Sequence, residues 1–457
     1  MLSNITGNHN TAVGHKADVL SDNLENATAI GDSAIVTASN TIQLGNINVT
    51  NVKTSGTLTA NAVTYPNSHG TSGQLLTTTG TGTLTWTTAT NTLVPYSGAI
   101  QAVNLGAYDL TVNGLTVGRG VGALANNTVI GNEALYQNRV GGYNVAIGHK
   151  AGQNATGSNN TYIGFYSGQG PSASAPFSSA NSNTAVGMYT MQLVTTGGNN
   201  TAFGYGAINK NSTGTNIVAI GKSAGYYATG SENTFVGSNA GRGGTTSAPF
   251  SSGQKNTAVG TEALYSFTTG YNNTAMGYRA LYAATTGYQN IAVGDNAMRY
   301  LTTGVWNVSI GNNSGPNAMG SRIIAIGELA GRFNKGIGNV HIGYRAGFQV
   351  SGSYNTTIGY QAGYGGTASA PYSTGTYNVA LGNQALSGFT TGYQNVAVGS
   401  NAGDAINTGY NNTIMGHSAG TSLTTGFGNV IIGRVAAYAS TDVDKAVIIG
   451  EQAAYTG

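Results

Sequence analysis

The stretch NTAMGYRALYAATTGYQNIAVGDNAMRYLTTGVWNVSIG, residues 273–311, holds two copies of one 17-residue pattern and the start of a third. Aligned on Gly277, Gly294 and Gly311, its columns keep their chemistry. The residue before each glycine is apolar (Met276, Val293, Ile310). The residue three before is β-branched (Thr274, Ile291, Val308), and the residue four before is Asn (Asn273, Asn290, Asn307). Period-two alternation places the −3 and −1 residues on one face of a short strand and the −2 residue, usually Ala, on the other. The anchor glycine then ends the strand, where a positive φ or a close backbone approach is expected.

Worked outward, the pattern recurs at 19 anchors from Gly131 to Gly450, spaced 16 or 17 residues apart with three gaps of 23. Asn stands at −4 in 16 of the 19, the exceptions being Ile217, Ile323 and Ala446; Ala stands at +3 in 16, with Ser167, Ser314 and Thr190 otherwise. A period this short cannot hold a pair of helices, and no 3.6-residue apolar period is present. It suits one coil of a parallel β-solenoid, in which a coil buries its apolar face only by stacking on the next. In-register stacking sets Asn on Asn and Val on Ile. At about 4.8 Å per strand, the array would be about 90 Å long. Large −3 and −1 residues against small −2 and +3 residues predict two apolar surfaces, one the coil interior and one an interface with neighbouring chains. The −3 column, which mixes Thr with Val and Ile, reads as interior.

Composition agrees with an array. Gly makes up 72 of 457 residues and charged residues only 7%, yet 27 Tyr, 10 Phe and a 40% apolar share supply a core. Basic residues are scattered singly, so the stripe required for nucleic acid is not evident. There is no Cys, which excludes disulfides and thiolate chemistry. No apolar run reaches the length of a membrane span. The opening residues lack a basic n-region and an apolar h-region, which fits export within a particle or a fragment of a longer protein. The seven residues after Gly450 hold no cap, so a further segment or a partner is expected there.

Three regions are predicted. Residues 1–45 form a short N-terminal β-roll segment with anchors Gly14, Gly31 and Gly45. Residues 46–125 form a neck-like or β-prism connector of short strands between Gly, Asn and Pro turns. Residues 126–457 form the main repeat shaft. Its three long coils carry one related insert: SAPF at 174–177, SAPF at 247–250 and SAPY at 369–372.

NATAIGDSAIVTASNTIQLGN (residues 26–46) resembles the head repeat of trimeric autotransporter adhesins, the YadA-like left-handed parallel β-roll, and NVTNVKTSG (48–56) resembles that family's neck. Copies such as NNTAMGYRALYAATTGYQ, together with GQLLTTTGTGTLTW (73–86) and DLTVNGLTVG (109–118), are similar to segments of phage tail fibres. The resemblance implies a homotrimer of left-handed rolls around one axis, serving attachment or host recognition. The adhesins' membrane anchor and coiled-coil stalk have no counterpart, which favours a phage or phage-tail-like fibre. A fibre's self-cleaving terminal chaperone is also without counterpart, as in a mature cleaved product.

Candidate sites are few. Pro176, Phe177, Pro249, Phe250, Pro371 and Tyr372 mark insert loops suited to receptor contact. Tyr271, Tyr288, Trp306, Tyr393 and Tyr410 recur at turns, where they would stack on glycans or on one another. His15, His149 and His417 share a column expected to face outward, and His341 replaces a −2 Ala. No zinc-type ligand spacing, paired catalytic carboxylates or phosphate loop is evident, so no catalytic, cofactor-binding or metal residues are assigned. The expected function is a non-enzymatic virion or tail fibre, extracellular, joined to other particle proteins at one end and meeting a cell-surface glycan or receptor, with neither nucleic acid nor membrane insertion. A bacterial adhesin head fragment and an ice-binding solenoid are the alternatives.

Overall fold

The computed structural model describes the chain apart from residues 1–5, 54, 56, 61–62, 67, 79, 89–109, 113–114, 121–123, 125, 172–176, 245–249, 317–318, 367–371 and 455–457. Two compact units, Met1–Asn104 and Leu105–Gly457, divide it.

In the first unit, β1 (Thr11–Val13), β3 (Thr28–Ile30) and β5 (Ile42–Leu44) pair in parallel register, Thr11 beside Thr28 beside Ile42. The two-residue β2 (Asp18–Val19) and β4 (Ile35–Val36) make a second face, and Val19, Ala27, Ala29, Ala34 and Val36 fill the space between. Two antiparallel hairpins follow. One joins β6 (Leu58–Ala60) to β7 (Val63–Tyr65) and the other joins β8 (Gln74–Thr78) to β9 (Leu84–Thr88). Trp86 anchors the second by donating from Nε1 to the Ser68 carbonyl at 2.7 Å.

The second unit is an all-β parallel solenoid. An antiparallel pair, β10 (Leu110–Val112) and β11 (Leu115–Gly118), starts its sheet. Nineteen three-residue strands then stack from β12 (Thr128–Ile130) to β30 (Val447–Ile449), each parallel to the last. Register is strict: Thr274 lies beside Ile291, Ala275 beside Ala292 and Met276 beside Val293.

Three devices hold the register. The first is the anchor glycine. Gly277 has φ +133°, and a Cβ there would lie 2.4 Å from the Gly294 carbonyl oxygen, so no side chain fits between stacked corners. The second is the Asn column. Asn290 Nδ2 donates to Asn273 Oδ1 (3.1 Å) and to the Gly304 carbonyl (2.9 Å), while its Oδ1 accepts from the Asn307 backbone N–H (3.1 Å) and Nδ2 (2.9 Å). The amide is fully buried with both ends used, and the motif repeats from coil to coil. The third is the TTG turn, where Thr285 Oγ1 donates to the Thr302 carbonyl at 3.2 Å.

The corners are left-handed. In the coil from Gly277, Arg279 (φ 54°), Leu281 (φ 52°) and Gln289 (φ 56°) all adopt positive φ, and the +2, +4 and −5 columns repeat this along the array. Each such non-glycine residue costs about 1–2 kcal/mol, offset here by ladder bonds on both sides.

The interior differs from the expectation for the −3 column. The −2 residues point inward: Ala146, Ala202, Ala275 and Ala397 are wholly buried. The +3 alanines and the +4 side chains, such as Leu135, Met191, Leu264 and Leu386, fill the rest. The −3 and −1 residues point out, as the 42–44% exposures of Ile291 at −3 and of Ile220, Met276 and Ile310 at −1 show. The reason is steric. Each coil is so thin that a +4 plug, joined in many coils by a +7 side chain such as Phe267, Leu301 or Phe389, leaves little more than a methyl's room at most −2 positions. Where −2 is aromatic, +4 shrinks: Tyr162 lies against Gly152 and Gly168, and Phe235 against Gly225 and Gly241. This exchange keeps the filled volume nearly constant.

Candidate functional site

The largest feature is the outward −3/−1 face. It is an unbroken two-column strip of Thr, Val, Ile, Met, Leu and Phe along the nineteen stacked strands. Its residues are half-buried to exposed on the single chain. Contiguous apolar surface of this extent marks an interaction surface on soluble proteins. The strip exists because short strands alternate and the inward side is already full. Sequence periodicity finds both faces but does not say which is wet. The +4 plug, read together with the −2 Ala, is the signal that would have told them apart.

The turn aromatics singled out from the sequence fall in two separate ladders. Tyr271 and Tyr288 stack at 4.8 Å and 4°, with Trp306 edge-on to Tyr288 at 5.6 Å. Tyr393, Tyr410 and Phe427 stack at 4.9 and 5.0 Å. The spacing equals the strand spacing, so rings occupy one another's faces and offer mainly edges outward. Trp306 Nε1 donates to Gln289 Oε1 at 2.6 Å, and the Arg322 guanidinium lies 5.0 Å from the Trp306 ring centre.

The insert residues divide. Pro176, Pro249 and Pro371 lie outside the described residues. Phe250 stacks on Tyr227 at 5.9 Å and Tyr372 on Phe333 at 4.9 Å, while Phe177 is half-buried. The inserts return to the array through parallel bridges, Ala155 to Ser178, Ala228 to Ser251 and Val350 to Ser373. Phe250 and Tyr372 therefore anchor the bases of their inserts.

His15 and His417 are exposed and His149 is half-buried. His341 is wholly buried, and burial lowers its pKa to about 3. Asn334 Nδ2 donates to His341 Nε2 (2.7 Å), which leaves His341 Nδ1–H to donate to Thr357 Oγ1 (2.8 Å). Both ring nitrogens are thus used within the fold by a neutral imidazole. Burial also raises the Asp404 carboxyl, which backbone N–H groups partly compensate. Among the described residues no three His, Asp or Glu side chains gather as a metal site would require.

One surface column was not singled out from the sequence. The +5 side chains run up one corner. At first they form an amide ladder, with Gln169 donating to Gln153 (3.0 Å), Gln192 to Gln169 (3.1 Å) and Asn209 to Gln192 (3.2 Å). The column then becomes aromatic and cationic. Arg242 lies over Tyr227 (4.9 Å) and Tyr265 (5.4 Å), with Nη1 donating to Tyr265 Oη at 3.1 Å; Tyr265 stacks on Tyr282 at 5.1 Å. Arg299 and Arg332 continue it. Aligning the repeats at this offset would have revealed the change.

No family model and no curated protein matches the chain. Its own geometry therefore carries the functional reading: a long in-register β-solenoid, an outer apolar strip and aromatic corners. No helix among the described residues is long and apolar enough to cross a membrane.

Proposed function

We propose that the chain is the structural fibre of a phage or phage-tail-like particle, working outside the cell as a homotrimer that mediates attachment to a host surface and performs no catalysis. One observation carries the reading. The −1 column is apolar in every coil, and the −3 column is Val or Ile in ten of the nineteen and Thr in the rest, although the interior is already filled without them. A face with no packing duty inside its own chain keeps such a composition when other chains cover it. Three copies related by a closed axis would bury the strip and leave the turn and +5 corners outside. The resemblance to YadA-like rolls and fibre segments points the same way, and it implies the left-handed twist. A head fragment of a bacterial trimeric adhesin has the same physical chemistry.

Antibodies raised against the purified chain should decorate projecting fibres on phage or tail-like particles, and the chain should bind host cells. Label confined to a bacterium's own surface would favour the adhesin. The outward T-x-V pattern is also the arrangement an ice-binding face uses, so thermal hysteresis by a monomer would overturn the fibre reading.

A further inference from the structure

Charge is unevenly distributed. Residues 205–348 hold ten Lys and Arg against four Asp and Glu, whereas the whole chain is only +3. In this stretch the +5 column carries Arg242, Arg299 and Arg332. Between the last two stands Pro316, where the column has no long side chain to offer. The gap is a notch of about 200 Å³ including its open mouth, lined by Asn296, Arg299, Tyr300, Ser314, Pro316 and Arg332 among others. Its base admits a single water-sized group, the size of one oxygen of an acidic group. No carboxylate lines it. The five ion pairs among the described residues lie elsewhere, so neither guanidinium is neutralised. Arg299 instead lies 5.3 Å from the Tyr300 ring centre and Arg332 5.4 Å from that of Phe333. Those contacts hold the guanidinium planes and leave their N–H edges to bond elsewhere.

We propose that this notch binds the carboxylate of an acidic glycan chain, with Arg299 and Arg332 as its two cationic walls and the Tyr300 ring as a sugar-contacting surface. Two guanidiniums set two coils apart, about 9.6 Å along the array, bracket one acidic group. Tyr300, 49% exposed, adds an amphipathic ring of the kind sugars pack against. Nucleic acid fits less well. The next arginine of the column, Arg242, is three coils further, about 14 Å, too sparse to follow successive phosphates. The proposal deepens the attachment reading by naming a ligand class, yet its test needs neither cells nor particles.

The experiment titrates the full chain with a hyaluronan hexasaccharide, which bears carboxylates alone, and with neutral maltohexaose, by calorimetry at low salt. Binding is expected for the acidic sugar only. Arg299→Ala and Arg332→Ala should each weaken it about tenfold or more, and Arg434→Ala, outside the notch, should leave it unchanged. Unaltered melting of the variants excludes unfolding. Equal binding of maltohexaose, undiminished binding by the double variant, or no binding by wild type would overturn the proposal. So would a hexasaccharide no tighter than inorganic sulfate, or tighter binding of single-stranded DNA. A failure here, with fibres still seen on particles, would remove the ligand and leave the fibre.

Discussion

Two lengths of the same solenoid solve the interior differently. From Leu264 to Leu301 the coils are filled by Leu, Met and Phe plugs against −2 alanines, and the length from Leu386 to Leu423 is similar. Between them the interior turns polar. Ser309 and Ser314 share a 2.6 Å hydrogen bond, Asn334 and Thr357 clamp His341, and Ile323, Ala325 and Ala330 make only a small apolar cluster. The strands and their register pass through unchanged. The difference teaches that the anchor glycines and the backbone ladder specify the coil, while its filling is negotiable wherever volume and hydrogen bonds close.

That comparison can be broken most severely at an anchor. Gly277→Val, in the apolar length, and Gly343→Val, in the polar length, each place a Cβ 2.4 Å from the next anchor's carbonyl. Both should cost more than about 4 kcal/mol, measured as lost protease resistance and a split melting transition. A mild effect at either site would refute a common backbone mechanism. Filling comes next. Phe235→Ala should cost about 3–5 kcal/mol, and adding Gly241→Leu should recover part of it. A Leu at +4 is normal elsewhere at positive φ, and the space blocked by the Phe235 ring would then be free. Failure of that rescue in thermal melts would show that the exchange between −2 and +4 is incidental.

The Asn column should respond similarly in both lengths. Asn290→Ala strands the Asn307 amide and the Gly304 carbonyl, and Asn355→Ala strands the Asn378 amide and the Gly375 carbonyl. Each should cost about 3 kcal/mol in denaturant titrations. The smallest effect, taken per pH unit, separates the two lengths by pH. His341 is held neutral with a pKa lowered to about 3, against about 6.5 unfolded. Above pH 6.5 the two states bind equal protons. Between 6.5 and 3 only the unfolded chain takes one up, so stability falls by about 1.4 kcal/mol per pH unit. Melting curves of His341→Ala should lack that slope, at the expense of leaving Asn334 and Thr357 without their imidazole partner.

The coil, its period, the Asn ladder and the anchor role were legible in the sequence because each rests on residue types that recur at fixed offsets. The facing of the strand was not. Alternation is symmetric between its two sides, and only the bulk of the +4 plug, such as Leu281 against Ala275, breaks the tie. The left-handed corners were hidden because they fall on Arg279, Leu281 and Trp306 rather than on Gly or Asn alone. Among candidate sites, Phe250 and Tyr372 were recognisable as insert residues, but their stacking on Tyr227 and Phe333 joins residues 23 and 39 apart that no local motif connects. The notch escaped notice because it is made by what Pro316 lacks.

The central claim is that other copies of the chain cover the −3/−1 strip. Sedimentation velocity of the purified chain tests it most directly, comparing wild type with Met276→Lys/Ile310→Lys, whose charges fall on that strip and outside the coil interior. The account predicts an elongated species of three times the 46.1 kDa chain, and folded single chains for the variant. A wild-type chain that sediments as a stable, folded monomer at micromolar concentration would contradict it.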